Sequence, residues 1–456
     1  MKNAKLTHDQ VKTALIACLG VLFVFPQTGW TQYFQLKTLA QFDGTNGSSP
    51  SALTLGNDGT FYGTTYSGSD TNAPGTIFKI TTNGTLTTIA RFATNSGANP
   101  YAALTWGPDG LLYGTTEYGG LNGGGTVFKA TTNGDLTTLA SFNLIGGKWV
   151  NGENPKSSLT LGADGLFYGT TLNGGTNDRG AIFSVAPASG TLTGLKSLSS
   201  AFGSSPNANL TPGPDGIFWG TTTFGGTYNK GTVFSYSTDG TLTSLTNFNG
   251  ANGDTPNAGL TLGNDGFLYG TTAQGGAYLK GTIFRVTTNG NLTTLTSLNL
   301  TNGANPGSAL TLGNDGFLYG TTSQGGDTNF NIGQGLGTVF RVSTNGSLTK
   351  LIDFNGTNGS FANAALTLGN DGSFYGTTTQ GGTFDKGTVF VLIPLPPPPL
   401  NISLQSNAVI LSWTNMVYGL QSAPEITGVF TNLNGVLSPY TSSITGDQQF
   451  FRLIAN

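Results

Sequence analysis

Histidine and cysteine are almost missing from this chain. His8 and Cys18 are the only examples, and both lie in the first 32 of its 456 residues. Beyond that point no Ser-His-Asp or Cys-His nucleophile can be assembled, no disulfide, and no metal site built from His or Cys. Charge is scarce as well. Asp, Glu, Lys and Arg make up 9% of the residues, against about 25% in ordinary globular proteins. The net charge is −3 and no basic run or stripe occurs, which argues against a nucleic-acid partner. Glutamate stands only at Glu117, Glu153 and Glu425. A glycosidase needs two facing carboxylates roughly 5 to 10 Å apart, so such a reading rests on Glu117 or Glu153 meeting a loop aspartate, Asp178 or Asp327. No G-x-x-x-x-G-K-[ST] run exists to cradle phosphates.

The first 32 residues read as a secretory signal peptide. Lys2, Lys5 and Lys12 precede an apolar run from Thr13 to Phe25, which Pro26 ends. The run is short for a membrane span, and its apolar core lies mostly after Cys18, which does not suit a lipoprotein signal. The expectation is an exported protein, secreted or on the cell surface, with no membrane span once the leader is removed.

What is abundant is glycine, 72 residues, together with threonine, asparagine and regularly placed aromatics at 11%. The aromatics argue for a packed core rather than disorder. The aromatic before "GTT" recurs as Tyr62, Tyr113, Tyr168, Trp219, Tyr269, Tyr319 and Tyr375, at spacings of 51, 55, 51, 50, 50 and 56 residues. Seven copies at that period indicate a propeller or an array. Each copy splits into four strand-like runs. In the fifth these are 258–262, 267–273, 281–287 and 291–298, separated by "GNDG", "QGGAYLK" and "TNG". Asp-Gly and Asn-Gly between alternating runs signal tight hairpins with positive φ at both central residues.

The chain ends complement each other. The last copy has no fourth strand before "PLPPPPL", whereas residues 34–42 look like a fourth strand without the other three. The expected fold is therefore all-β: a seven-bladed β-propeller of four-stranded blades, its ring closed by the N-terminal strand, plus a small C-terminal β-sandwich-like module. Closure removes exposed sheet edges. A parallel β-helix explains the period but not the complementary ends. The expected divisions are a signal peptide at 1–32, the propeller at 33–393, a proline-rich linker at 394–400 and the small module at 401–456, with Trp413 and Phe451 as its core anchors.

The unit DG-x-x-YGTT-x-x-GG-x-x-x-x-GTVF resembles the GloVer tandem repeat of Gloeobacter and Verrucomicrobia surface and secreted proteins, over roughly residues 34 to 393. The tail "QQFFRLIAN" is similar to C-terminal modules of secreted verrucomicrobial proteins. The resemblance implies an exported, propeller-like protein and no particular activity.

The repeated acids Asp58, Asp109, Asp164, Asp215, Asp265, Asp315 and Asp371 suit tight turns. They lack the clustered ligands of a calcium loop, so no cofactor is expected, although calcium is possible. Arg179, Lys230, Lys280 and Lys386, just before the third strand, read as solvated loop charge. The turns between first and second strands and between third and fourth are short and uniform. The other loops share the opposite face and carry the length and variation, which is where recognition sits on a rigid scaffold. Aromatic faces beside amides and acids suit sugar rings. The reading is a monomeric, non-catalytic binding or adhesion protein for a glycan, such as extracellular polysaccharide, or for a cell-surface protein. The alternatives are a polysaccharide-degrading propeller enzyme and a purely structural envelope protein. The candidate contacts are Trp149 as anchor, with Lys148, Glu153, Tyr118, Phe330, Glu117, Tyr228 and Tyr278.

Overall fold

The computed structural model describes residues 33–68, 74–395, 400–405, 408–413, 418–423, 429–433, 436–443 and 450–455. The expected signal peptide and most of the proline-rich linker lie outside the described residues. The chain divides into two compact units. One is Phe34–Pro394, and the described part of the other begins with Tyr33 and resumes at Leu395.

The larger unit is seven antiparallel sheets, one per sequence repeat. The fifth is representative: Thr261–Leu262, Leu268–Thr272, Thr282–Val286 and Leu292–Ser297 pair in that order. The first sheet carries an extra short strand, Ser48–Pro50. The seventh joins the two chain ends, in the order Tyr33–Gln41, Thr388–Leu395, Phe374–Thr378, Thr367–Leu368. The pairing of the N-terminal strand beside the last repeat follows from the missing fourth strand there.

The turn chemistry differs from the expected hairpins in one respect. At "GNDG" the Gly59 N–H donates to the Gly56 carbonyl and the Gly56 N–H to the Thr60 carbonyl, at 3.0 and 2.8 Å. Only Gly59 has positive φ, +77°, and the same holds at Gly110, Gly266 and their equivalents. This is the three-residue loop ending in a left-handed glycine, not the two-residue turn with both central residues left-handed. Asp215 alone among the turn aspartates departs, at φ 56°.

In five repeats the turn aspartate also clamps the following tyrosine. Tyr113 donates its hydroxyl to Asp109, Tyr168 to Asp164, Tyr269 to Asp265, Tyr319 to Asp315 and Tyr375 to Asp371, at 2.6–2.9 Å. The tyrosine ring then lies on the next sheet: Tyr113 on Phe167 at 4.5 Å, Tyr168 on Phe218 at 4.5 Å, Tyr319 on Phe374 at 4.1 Å, and Tyr375 on Phe61 at 4.1 Å. The "YGTT" aromatic is thus an inter-sheet packing element. Its glycine is needed because a Cβ at Gly270 would lie 2.5 Å from the Phe284 ring.

Threonine hydroxyls tie each sheet to the next. Thr54, Thr105, Thr160, Thr211, Thr261 and Thr311 donate to the carbonyls of Leu104, Leu159, Leu210, Leu260, Leu310 and Leu366, and Thr367 donates to Leu53. These bonds are 2.5–2.7 Å long. The first threonine of each "GTT" makes a second such set, in which Thr377 of the last repeat donates to Ser51 of the first at 2.9 Å. The second threonine pairs inside its own sheet, for example Thr272 with Thr282 at 2.8 Å. Both hydroxyls of the motif are therefore structural.

Among the described residues the smaller unit contains two three-stranded sheets, in the orders Asn401–Gln405, Ala408–Ser412, Tyr440–Ser443 and Thr431–Leu433, Tyr418–Ala423, Phe450–Ala455. Leu411, Trp413 and Leu420 form its buried centre, with Phe451 packed against them.

Candidate functional site

The segment that enters each first strand reads "NPYA", "NPKS", "SPNA", "TPNA", "NPGS" or "FANA" in repeats two to seven. The residue two positions before the variable one takes a left-handed conformation, as at Asn99, Asn154, Ser205, Thr255, Asn305 and Phe361. Its backbone N–H is held by the preceding repeat: Ser205 donates to the Arg179 carbonyl at 2.9 Å and Thr255 to the Lys230 carbonyl at 3.1 Å. This fixed kink delivers the following residues to a cavity of about 710 Å³ that all seven repeats line. The variable residues are Tyr101, Lys156, Asn207, Asn257, Gly307 and Asn363. The first repeat, "SPSAL", is one residue shorter and places none there.

The wall mixes Ser, Thr and Asn with alanine and leucine and is uncharged except on one side. The residue after "GTT" is Tyr66, Leu172, Thr223, Ala273, Ser323 or Thr379, but Glu117 in the second repeat. Glu117 is 3% exposed. One of its oxygens, Oε1, meets Lys156 Nζ at 2.9 Å. The other, Oε2, is sealed from solvent and makes no hydrogen bond of ordinary length among the described residues, although the Tyr66 and Tyr118 hydroxyls lie close enough to the carboxylate for it to raise the pKa of both. Lys156 Nζ also stands 5.4 Å from the centre of the Tyr101 ring. Tyr66 meets Tyr101 edge to face, at 6.2 Å and 89°. Burial, reinforced by the negative charge of Glu117, pushes the Tyr66 hydroxyl up to about 12. The Asn154 amide donates to the Glu117 carbonyl at 3.1 Å, and the Asn99 amide to the Tyr66 carbonyl at 2.9 Å. Lys156, the one charged residue of the lining among the described residues, is thus held from behind the wall by Glu117.

The structure brings together three of the residues expected from sequence. Glu117 lies behind the wall. Tyr118 is exposed beside it, its backbone bridged to Ala98, and Glu153 bridges to Asn173 on the adjoining loop. Burial and the neighbouring Asp178 charge raise the Glu153 carboxyl above its usual range. Asp178 itself accepts the Gly174 N–H at 3.0 Å, a turn role. The other expected residues stand apart from the cavity wall. Trp149 is half-buried, with its ring so close over Gly124 that a Cβ there would lie 2.3 Å from it. Lys148 is exposed. Tyr228 and Tyr278 occupy corresponding exposed tips in repeats four and five, and Phe330 precedes the 3₁₀ turn Asn331–Gly333 in repeat six. Sequence reasoning missed Tyr101 and Lys156. The signal was available: a single position that varies in chemistry beside a repeated proline and small residues.

Among the described residues no group of three or more His, Cys, Asp or Glu is placed to hold a metal ion. No described helix is long and apolar enough to cross a membrane.

Comparison with solved structures supports a propeller-like fold and nothing finer. The structure is similar to a fungal alcohol oxidase of the AA5 family in complex with copper, at 12% identity and a TM-score of 0.52, covering 87% of this chain and 86% of that one. It is also similar to a gluconolactonase from Xanthomonas campestris, at 13% identity and a TM-score of 0.42, covering 80% of this chain and 90% of that one. A luciferin-regenerating enzyme matches at 11% identity and a TM-score of 0.41, covering 79% and 96%. No curated protein matches the sequence. The Gloeobacter/Verrucomicrobia repeat matches residues 19–217 and 154–390, and the chain belongs to that family.

Proposed function

We propose that the chain is a seven-bladed propeller, closed by its N-terminal strand, that serves as an exported, non-catalytic binding protein for extracellular polysaccharide. The hydroxyl bonds from Thr367 and Thr377 back to the first repeat support closure. The observation that carries the function is the common cavity of about 710 Å³, which all seven repeats line and to which six of them bring the same kinked segment with a residue that varies among Tyr, Lys, Asn and Gly. Such a volume is that of a small-molecule site. Its amides offer paired donors and acceptors, and its tyrosine rings offer flat apolar faces, which together match a sugar. The loops around it, with Tyr118, Glu153, Lys148, Trp149, Phe330, Tyr228 and Tyr278, would extend contact along a polymer.

A second reading is hydrolysis by the carboxyls of Glu153 and Asp178, the first of which is raised chiefly by burial and further by the charge of the second. Both readings are tested by presenting the mature protein to a polysaccharide and glycan array, with and without calcium, while following release of reducing ends. Retention without release is expected. Release of reducing ends would replace binding by catalysis, and no retention on any glycan would overturn the proposal.

A further inference from the structure

Glu117 is unnecessary for the fold, since the six corresponding positions hold neutral residues. It is also costly. A buried carboxylate loses hydration that an ion pair with Lys156 does not fully return, even with the Tyr66 and Tyr118 hydroxyls close to it. What the carboxylate accomplishes is visible in Lys156. This side chain is 22% exposed and one of its donors is engaged by Glu117, so an ammonium group has two more N–H donors to offer. The carboxylate holds that ammonium over the ring of Tyr101, 5.4 Å from its centre, at a residue that is 47% exposed.

We propose that Tyr101 and Lys156 form a subsite for one pyranose unit, and that Glu117 is the residue that positions Lys156 for it. This rests on the polysaccharide-binding reading and specifies where one sugar sits. The apolar face of the ring lies on Tyr101, and a ring hydroxyl accepts a hydrogen bond from Lys156 Nζ. Asn207 and Asn257, carried by the next two repeats, line the same cavity; Asn257 Oδ1 already accepts the Thr223 hydroxyl at 3.0 Å and Asn207 Oδ1 is sealed from solvent, so their amide N–H groups are what they offer to the remaining hydroxyls. Because the Glu117 charge neutralises Lys156, the subsite selects neutral sugars over acidic ones. A uronate would gain one cation at the expense of facing the carboxylate behind it.

The test uses the mature full-length chain, methyl α-D-mannopyranoside and methyl α-D-glucopyranoside as probes, and saturation-transfer NMR to read contact and affinity. Fully O-methylated glucoside and methyl glucuronide serve as comparisons. The expected result is contact with the neutral glycosides and roughly tenfold or greater weakening in Tyr101→Ala and in Lys156→Met, the loss expected for a hydrogen bond to a charged group. Tyr101 is exposed, so its truncation leaves the fold intact, which thermal melting verifies. Glu117→Gln should weaken binding in the wild-type background and have no further effect in Lys156→Met, because positioning acts only through the lysine. Affinity for the neutral glycosides that is unchanged in Tyr101→Ala and Lys156→Met overturns the subsite. If those variants still retain polysaccharide on the array, the broader binding reading survives. Stronger contact with the glucuronide than with the neutral sugars overturns the charge argument and the subsite with it.

Discussion

Replacing Phe42 by alanine interrogates the join between the two ends of the chain. Phe42 follows the N-terminal strand and is fully buried. Its N–H donates to the Gly387 carbonyl at 3.0 Å. Its ring meets Phe78 edge to face at 5.1 Å, within a cluster that includes Leu53, Phe61, Tyr375 and Val389. Residues from both ends of the propeller unit thus share one piece of core. Truncation of a fully buried phenylalanine costs about 3–5 kcal/mol through lost burial and the cavity left behind. Phe142 provides an internal standard, because it is equally buried and meets Phe183 at 5.0 Å, but joins two consecutive repeats. If the ring is closed, urea unfolding followed by tryptophan fluorescence should give Phe42→Ala and Phe142→Ala similar losses. A Phe42→Ala protein within about 0.5 kcal/mol of wild type, the range of an inconsequential surface change, alongside a strongly destabilised Phe142→Ala, would refute closure by this strand.

Three further outcomes follow from the same structure. Thr211→Val deletes the hydroxyl that donates to the Leu260 carbonyl at 2.5 Å and should cost about 1–3 kcal/mol in urea unfolding, since it strands a buried acceptor; no loss would show the threonine bonds to be incidental. Glu117→Leu with Lys156→Asn installs the residues of neighbouring repeats and should leave stability unchanged or raise it by about 1–4 kcal/mol; a marked loss would mean that the ion pair serves the fold. Tyr66 and Tyr269 are pushed up to about 12, chiefly by burial, from about 10 in the unfolded chain. Their contribution is therefore complete below pH 10 and is lost as the pH rises toward 12. Tyrosinate absorbance of the folded protein should lag behind that of the urea-unfolded chain through this window, and coincident titrations would contradict the burial.

The fold was legible because the repeat writes each physical requirement several times. The period exposed the sheets, Asp-Gly and Asn-Gly marked the turns, and the strand-like residues 34–42 matched the gap after residue 393. Two features were not legible. The turn glycine alone takes positive φ because the loop has three residues rather than two, and the dipeptide does not reveal that length. The aspartate reads as a turn residue from sequence, yet its second oxygen holds a tyrosine four positions on, a contact that only the folded hairpin creates. The site was half legible. Glu117 and Glu153 stood out as two of three glutamates and Tyr118 as an aromatic of a variable loop; they lie near one another, outside the cavity lining. Lys156 and Tyr101 were passed over because residues after proline look like connection, and it is the left-handed kink at Asn99 and Asn154 that turns them toward the cavity. Trp149 attracted attention as a large aromatic in a long loop, and its ring is partly occupied in covering Gly124.

The most direct measurement is a crystal structure of the mature protein with an oligosaccharide fragment of whichever polysaccharide the array retains. The account predicts sugar density in the common cavity, one pyranose against the Tyr101 ring and within hydrogen-bonding distance of Lys156 Nζ. Density at the Asp-Gly turns of the opposite face, or confined to Trp149 and Phe330 with the cavity empty of sugar, would contradict it.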